Sequence, residues 1–174
     1  MRQESSWCVM KILVLSDSHS SLHFMRECIK KIKPDAVVHL GDHYDDAEVM
    51  AEEYPHVPFH HVPGNCDRYR CPPFTRQMLC YDICGVRLYM THGHNEHVKS
   101  GIGILLADAR KYNAAAALYG HTHIPYCRRE EDGMWVLNPG SCGYGSRSAG
   151  IIEVSDRHIT DCRLLTYEDL EEIV

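Results

Sequence analysis

The stretch KILVLSDSHSSLHFMRECIKKIKPDAVVHLGD, residues 11–42, decides the fold. KILVLS (11–16) is an apolar run of strand length. SLHFMRECIKKI (21–32) repeats its apolar residues at helical spacing through Leu22, Met25, Cys28, Ile29 and Ile32. Ser20 or Ser21 stands where an N-cap belongs, and Pro34 lies just past the end. AVVHL (36–40) is a second strand. A strand, a helix and a strand in this order predict a βαβ unit with parallel strands. Both strands end in a polar motif, SDSH after the first and GDH after the second.

The pattern continues outward. DAEVMAEEY (46–54) predicts a helix that stops before Pro55. HVPFHHVP (56–63) predicts a third strand whose prolines keep it short or near an edge. Residues 75–91 predict a hairpin turning at Cys84-Gly85, residues 100–113 a helix, and residues 115–119 a strand. A hairpin around Asp132-Gly133 follows over 124–138. Residues 149–154 and 158–165 form a last pair, and TYEDLEEIV a terminal helical turn or two. The prediction is one α/β domain over 1–174, with parallel and antiparallel strands in two packed sheets. Met10 precedes the first strong strand pattern, so residues 1–9 are expected to be a loose N-terminal extension.

Composition bounds the function. The 174 residues are 44% hydrophobic and 24% charged, with a net charge of −6. This charge argues against a general nucleic-acid surface, which would need a basic stripe, and no apolar run approaches a membrane span. A phosphate substrate stays compatible with this charge if metal ions supply local positive potential. Nine cysteines, an odd number, without the layout of a secretory signal predict free thiols and a cytoplasmic location. Cys80-x3-Cys84 and Cys66-x4-Cys71 match no structural zinc module well, which favours free thiols there too.

Five polar motifs follow five predicted strands: SDSH with Asp17 and His19, GDH with Asp42, GNCD with Asn65, THGH with His92 and His94, and GHTH with His121 and His123. Ligands of open α/β sheets bind beyond the carboxyl ends of the strands, so these loops can meet. Taken singly, each motif has an ordinary explanation: Asp and Ser start helices, Gly-Asp is a common turn, and a lone His is more often a surface residue. Five in one topological position make that explanation improbable. Imidazole, carboxylate and amide oxygen suit Mn, Fe, Co, Ni and Zn. Asp17, His19, Asp42, Asn65, His92, His121 and His123 are too many for one catalytic ion with an open position. A bridging carboxylate makes them two sites of four ligands, with ions roughly 3.5–4 Å apart.

In order and type, D-x-H, GD, GN, His and GH-x-H resemble the calcineurin-like metallophosphoesterase superfamily, and the small size and NPGS (138–141) resemble its compact prokaryotic phosphodiesterase branch. The resemblance implies a four-layer α/β sandwich, with two packed mixed β-sheets flanked by helices. It implies a first metal site of Asp17, His19, Asp42 and His123. The second would be Asp42, Asn65, His92 and His121, with Asp42 bridging. It further implies two divalent ions, manganese first among Mn, Fe, Ni, Co and Zn. The implied reaction is hydrolysis of a small phosphate ester, most readily a diester, by a metal-bridging hydroxide. Asp42, Asn65 and His92 carry the catalytic role as metal ligands.

One departure stands out. The wider family has GNHE where this chain has Asn65-Cys66-Asp67, so Cys66 replaces a His that assists the leaving group. A thiol is a poor general acid for an alkoxide, which points to diesters or activated esters and leaves no general acid assigned. His94 is a candidate substrate contact, with structural hydrogen bonding as the alternative. Arg147 is a candidate phosphate clamp, with an ordinary surface role as the alternative. His43 is expected beside the site or exposed, and His39, His60 and His61 are expected to be structural. A homo-oligomer is possible. The competing function is a protein-binding scaffold of the same fold, as in the retromer subunit. The completeness of the seven ligands argues against it.

Overall fold

A computed structural model describes residues 8–173, so most of the expected extension 1–9 lies outside the described residues. The chain runs β1 (Met10–Leu15), α1 (Leu22–Ile32), β2 (Ala36–His39), α2 (Tyr44–Glu53), β3 (Phe59–His61), β4 (Met78–Ile83) and β5 (Val86–Thr91). A short 3-10 turn at Val98–Ser100 leads into α3 (Gly103–Lys111) and β6 (Ala116–Leu118). Then come β7 (Tyr126–Arg129), β8 (Trp135–Asn138), β9 (Ser148–Ser155), β10 (His158–Thr166) and α4 (Tyr167–Glu172).

The strands form two five-stranded mixed sheets, ordered β10-β9-β1-β2-β3 and β4-β5-β6-β8-β7. In the first, β1 and β2 pair in parallel, as do β2 and β3, while β9 and β10 add antiparallel. In the second, β5, β6 and β8 are mutually parallel, and β4 and β7 close the edges antiparallel. The proline-bounded β3 is an edge strand, as its sequence predicts.

Alternation along the strands builds the layers. Ile12 and Val14 of β1 point toward the second sheet and pack with Val38, Leu88, Met90, Leu118 and Leu137. Their neighbours Leu13 and Leu15 point the other way, onto Phe24, Met25, Cys28 and Ile29 of α1. Tyr89, Ala117 and Val136 face Leu105 and Ala109 of α3 on the outside of the second sheet. Strands buried on both faces read as continuous apolar runs, which is the pattern of KILVL and AVVHL. The result is the four-layer sandwich, helices outside and two sheets between.

Both predicted turns hold, by different means. Cys84 and Gly85 have positive φ and form a tight two-residue connection, with Ile83 paired to Val86. The Asp132-Gly133 loop is wider and spans Glu130–Met134, closed by hydrogen bonds from Glu130 N to Met134 O (2.8 Å) and from Gly133 N to Glu130 O (3.0 Å). Helix α2 begins at Tyr44, two residues before the predicted start. The reason lies 23 residues on: Asp67 Oδ1 accepts the backbone N–H groups of His43 (2.8 Å) and Tyr44 (3.0 Å). A remote carboxylate thus caps the helix and faces its positive end. All nine cysteines are free thiols, and among the described residues none belongs to a metal-ligating cluster. Among the described residues no helix is long and apolar enough to cross a membrane.

Candidate metal centre

Every predicted ligand lies just beyond the carboxyl end of a parallel strand. Asp17 and His19 follow β1, Asp42 follows β2, and Asn65 follows β3. His92 follows β5, and His121 and His123 follow β6. Backbone hydrogen bonds lock these loops together: Asp17 N donates to Gly41 O (2.9 Å), and Gly120 N to His92 O (3.0 Å). The glycines of the motifs permit close approach. A Cβ on Gly64 would overlap Asp42 Oδ1, and one on Gly120 would overlap Ser16 Oγ.

The backbone is held in an uncommon shape at these positions. Asp17, His19, Asp42, His121 and His123 all have positive φ, between 44° and 69°. Such conformations are unfavourable for side-chain-bearing residues and gather at functional sites, where surrounding contacts enforce them.

Two groups of side chains result, with Asp42 between them. In the first, ligating atoms of Asp17, His19, Asp42 and His123 all lie within 4.8 Å of one another. Asp17 Oδ2 accepts from Ser16 Oγ (2.5 Å) and His121 N (3.1 Å). Its other oxygen, Oδ1, lies 3.0 Å from His123 Nε2, yet it has no hydrogen-bond partner. His19 Nε2 is also buried without a partner, 3.9 Å from Asp42 Oδ2.

The second group converges on the other side of Asp42. His92 Nδ1 lies 2.7 Å from the Leu40 carbonyl, which can only accept, so Nδ1 carries the proton and Nε2 presents a lone pair. That lone pair faces Asn65 Oδ1 at 3.2 Å and Asp42 Oδ1 at 3.5 Å. Asn65 Nδ2 turns toward Cys66 Sγ (3.4 Å), which fixes its oxygen toward His92. The His121 ring completes the cluster, 5.0 Å from that of His92. Three acceptors therefore meet with no proton between them, Asp42 Oδ1 being held from outside by the Cys66 backbone N–H (2.9 Å), and such an electron-rich arrangement favours a cation. The first group fits a divalent metal, and the second sets Asn65 Oδ1 and Asp42 Oδ1 at 3.2 and 3.5 Å from the His92 Nε2 lone pair.

Electrostatics agree with that fit. Burial holds His92 down to about 4 against the opposing pull of Asp42, and it lowers His19 and His121, the latter with help from Lys99. These imidazoles are neutral at pH 7, the form that ligates metal. Burial raises Asp17 to about 6, while Asp42 stays below its ordinary value: His92 and the Cys66 backbone N–H (2.9 Å) outweigh the burial that would raise it.

The GNCD loop divides its labour. Asn65 faces His92. Asp67 is buried and structural, bound to the α2 terminus and to Gly64 N (2.7 Å). The Cys66 side chain is exposed, yet local desolvation and then the Asp42 carboxylate push its thiol up to about 11, so it is protonated at neutral pH. His94 lies beside the second group, its ring 5.5 Å from His92 and 6.1 Å from His121. Arg147 lines a pocket with Gly145, Ser146, Thr166, Tyr167 and Glu168 that none of the seven predicted ligands lines. His43 stands beside His19 at 4.9 Å and hydrogen-bonds Ser20 Oγ. His39 is structural: fully buried, it joins Ser18 Oγ, which donates to Asp46.

Three contributors were not among the predicted site residues, although Ser16 opens SDSH and Asn138 opens NPGS. Ser16 orients Asp17. Asn138, at the end of β8, donates to Gly120 O and Thr122 Oγ1 (both 3.0 Å) and thereby braces the GHTH loop from the NPGS turn. Tyr144 packs on His19 and His123. Asn138 had a visible signal, its place as a polar residue closing an apolar strand before Pro-Gly.

Comparison with known proteins matches this geometry to a family. The sequence profile of the calcineurin-like phosphoesterase superfamily domain matches residues 10–167. A protein of Mycoplasma pneumoniae named "Probable metallophosphoesterase" is 29% identical over 134 residues, 75% of this chain and 78% of its own length. Among solved structures, a conserved uncharacterized protein of Streptococcus pneumoniae, a predicted phosphoesterase, has a TM-score of 0.71 at 24% identity and covers 92% of this chain and 99% of its own. Vps29 of Cryptosporidium parvum has a TM-score of 0.70 at 16% identity, covering 91% and 98%. The profile match spans nearly the whole described fold and every residue of both ligand groups: the chain belongs to the calcineurin-like phosphoesterase superfamily.

Proposed function

We propose that the protein is a two-metal phosphodiesterase acting on a small phosphate ester. The observation that carries this is the meeting of three acceptors, His92 Nε2, Asn65 Oδ1 and Asp42 Oδ1, beside a second cluster that shares Asp42. Asp17, His19, Asp42 and His123 would hold one ion, and Asp42, Asn65, His92 and His121 the other. Bound there, two divalent ions supply positive charge against phosphate oxygens and acidify water. A donor set of imidazole nitrogen and carboxylate or amide oxygen without thiolate is compatible with Mn, Fe, Co, Ni or Zn, manganese being the proposed ion.

The remaining work falls to the protein's own groups. Leu40 O fixes the His92 tautomer, and Ser16 and His121 N hold Asp17 Oδ2 so that Asp17 Oδ1 stays directed toward His123. Cys66 stands beside Asp42 as a protonated thiol and cannot serve as a nucleophile near neutral pH. With an acidity far below that of an imidazolium it is also a weak proton donor. This supports diesters with good leaving groups over alkyl monoesters, whose departing alkoxide needs a proton.

The test is an assay of metal-reconstituted protein on a diester and a monoester of the same aryl alcohol. Faster turnover of the diester is expected, and faster turnover of the monoester would overturn the diester assignment. The fold likeness to Vps29 favours one alternative, a non-catalytic scaffold. Failure to hydrolyse either ester with both ions bound would select it.

A further inference from the structure

Tyr144 is out of place for an ordinary surface residue. It is 56% exposed, yet its ring stacks with that of His123, with 15° between planes and centroids 5.6 Å apart. It also tilts against His19, with centroids 4.6 Å apart. The two imidazoles and the phenol form one aromatic cluster over the first ligand group, and part of the phenol surface remains open to solvent.

The loop that presents it is tightly held. Ser141 Oγ donates to Asp17 O (2.8 Å) and accepts from Gly143 N (3.1 Å) and Tyr144 N (3.0 Å). Cys142 N donates to Ser16 O (3.0 Å), and Gly143 N to Asp17 O (3.2 Å). The segment after β8 is therefore pinned to the same strand end that carries Asp17 and His19. Its backbone is set in register with the centre, and its ring lies against His123 and His19.

We propose that Tyr144 is a specificity residue whose exposed surface receives a planar aromatic substituent of the phosphate ester, so that the substrate class is aryl- or heteroaryl-bearing. The proposal rests on the phosphoesterase function above. The phosphate would sit at the ligand groups, and a flat substituent leaving it over His19 and His123 meets an aromatic surface already anchored there. Stacking of flat rings on aromatic side chains changes affinity by about 5- to 150-fold and tolerates differences in ring chemistry. Because the loop is pinned, little conformational freedom is lost when the ring is used.

Equilibrium binding tests this without turnover. Phenylphosphonate and methylphosphonate carry the same anionic head, and only one carries a ring. Their dissociation constants would be measured by calorimetry on manganese-loaded wild type, Tyr144→Ala and Tyr144→Phe, each checked for metal content. Tyr144→Ala is expected to weaken phenylphosphonate about tenfold and methylphosphonate less than twofold. Tyr144→Phe should keep both constants, because the ring and not the hydroxyl makes the contact. An equal loss for both ligands in Tyr144→Ala, or no loss for either, would overturn the proposal. If wild type binds methylphosphonate but Tyr144→Ala leaves phenylphosphonate unchanged, the specificity role fails alone. If wild type binds neither phosphonate, the phosphate site itself fails, and the proposal with it.

Discussion

Replacing Asp17 with Asn should stabilise the metal-free protein while weakening its response to metal. Asp17 is fully buried at the end of β1, and burial raises its carboxyl to about 6 from an ordinary 3.8, despite the Ser16 hydroxyl. Below 3.8 the carboxyl is protonated in the folded and unfolded chain alike, and its contribution is fully present. As pH rises through 6 the folded state gives up a proton it holds more tightly than the unfolded chain does, and that stability is lost. The gap between 3.8 and about 6 corresponds to roughly 3 kcal/mol.

Asparagine stays neutral throughout. Its Oδ1 can keep the hydrogen bonds from Ser16 Oγ (2.5 Å) and His121 N (3.1 Å), and its Nδ2 can donate to His123 Nε2, 3.0 Å from the present Oδ1. At pH 7.5 the variant should therefore gain about 2–3 kcal/mol, a rise in Tm of about 4–10 °C for a chain of this size. The assay is thermal unfolding of chelator-treated proteins at pH 7.5 and pH 4, where most of the gain should vanish. Adding Mn2+ should narrow or reverse the difference, since an ion at a hundred times its Kd adds about 2.7 kcal/mol to the protein that binds it. The reasoning is refuted if metal-free D17N is no more stable than wild type at pH 7.5, or if its advantage is undiminished at pH 4.

Three further outcomes are expected. Metal-free D17N should lose stability as pH falls from 6.5 toward 4, because burial holds His92 near 4 and His39 near 3, so the unfolded chain takes up protons first; wild type should lose less, since Asp17 works in the opposite direction, and unfolding curves across that range check both. Asp67→Ala should destabilise the fold by about 3 kcal/mol or more, read as a lower Tm, since three backbone N–H groups lose their acceptor. Cys66→Ala should change rate constants little, whereas Cys66→His should speed esters with poor leaving groups, a general acid being typically worth ~10²–10⁴; rate against leaving-group pKa measures this.

Much of the fold was legible because its signals are local. KILVL and AVVHL are apolar on both faces, and the helix between them repeats Leu22, Met25, Ile29 and Ile32 at helical spacing. The convergence of the candidate ligands was legible because strand ends in an α/β sheet share one side, so position in sequence translates into position in space. What was not legible depends on distant partners. The start of α2 is set by Asp67, 23 residues from Tyr44, and the brace on GHTH by Asn138. Tyr144 acquires its place only when Ser141 meets Asp17, 124 residues away. Arg147, three residues beyond Tyr144, lies by Tyr167, a direction that spacing alone does not reveal.

The account turns on Asp42 as the shared ligand between two groups, Oδ2 toward His19 and Oδ1 toward His92. Elemental analysis of purified wild type and Asp42→Asn, after reconstitution with Mn2+ and removal of free metal, tests it most directly. Two ions per chain in wild type and substantial loss of both in the variant are predicted. One ion per chain in wild type, or loss of a single ion in the variant with full hydrolytic activity, would contradict it.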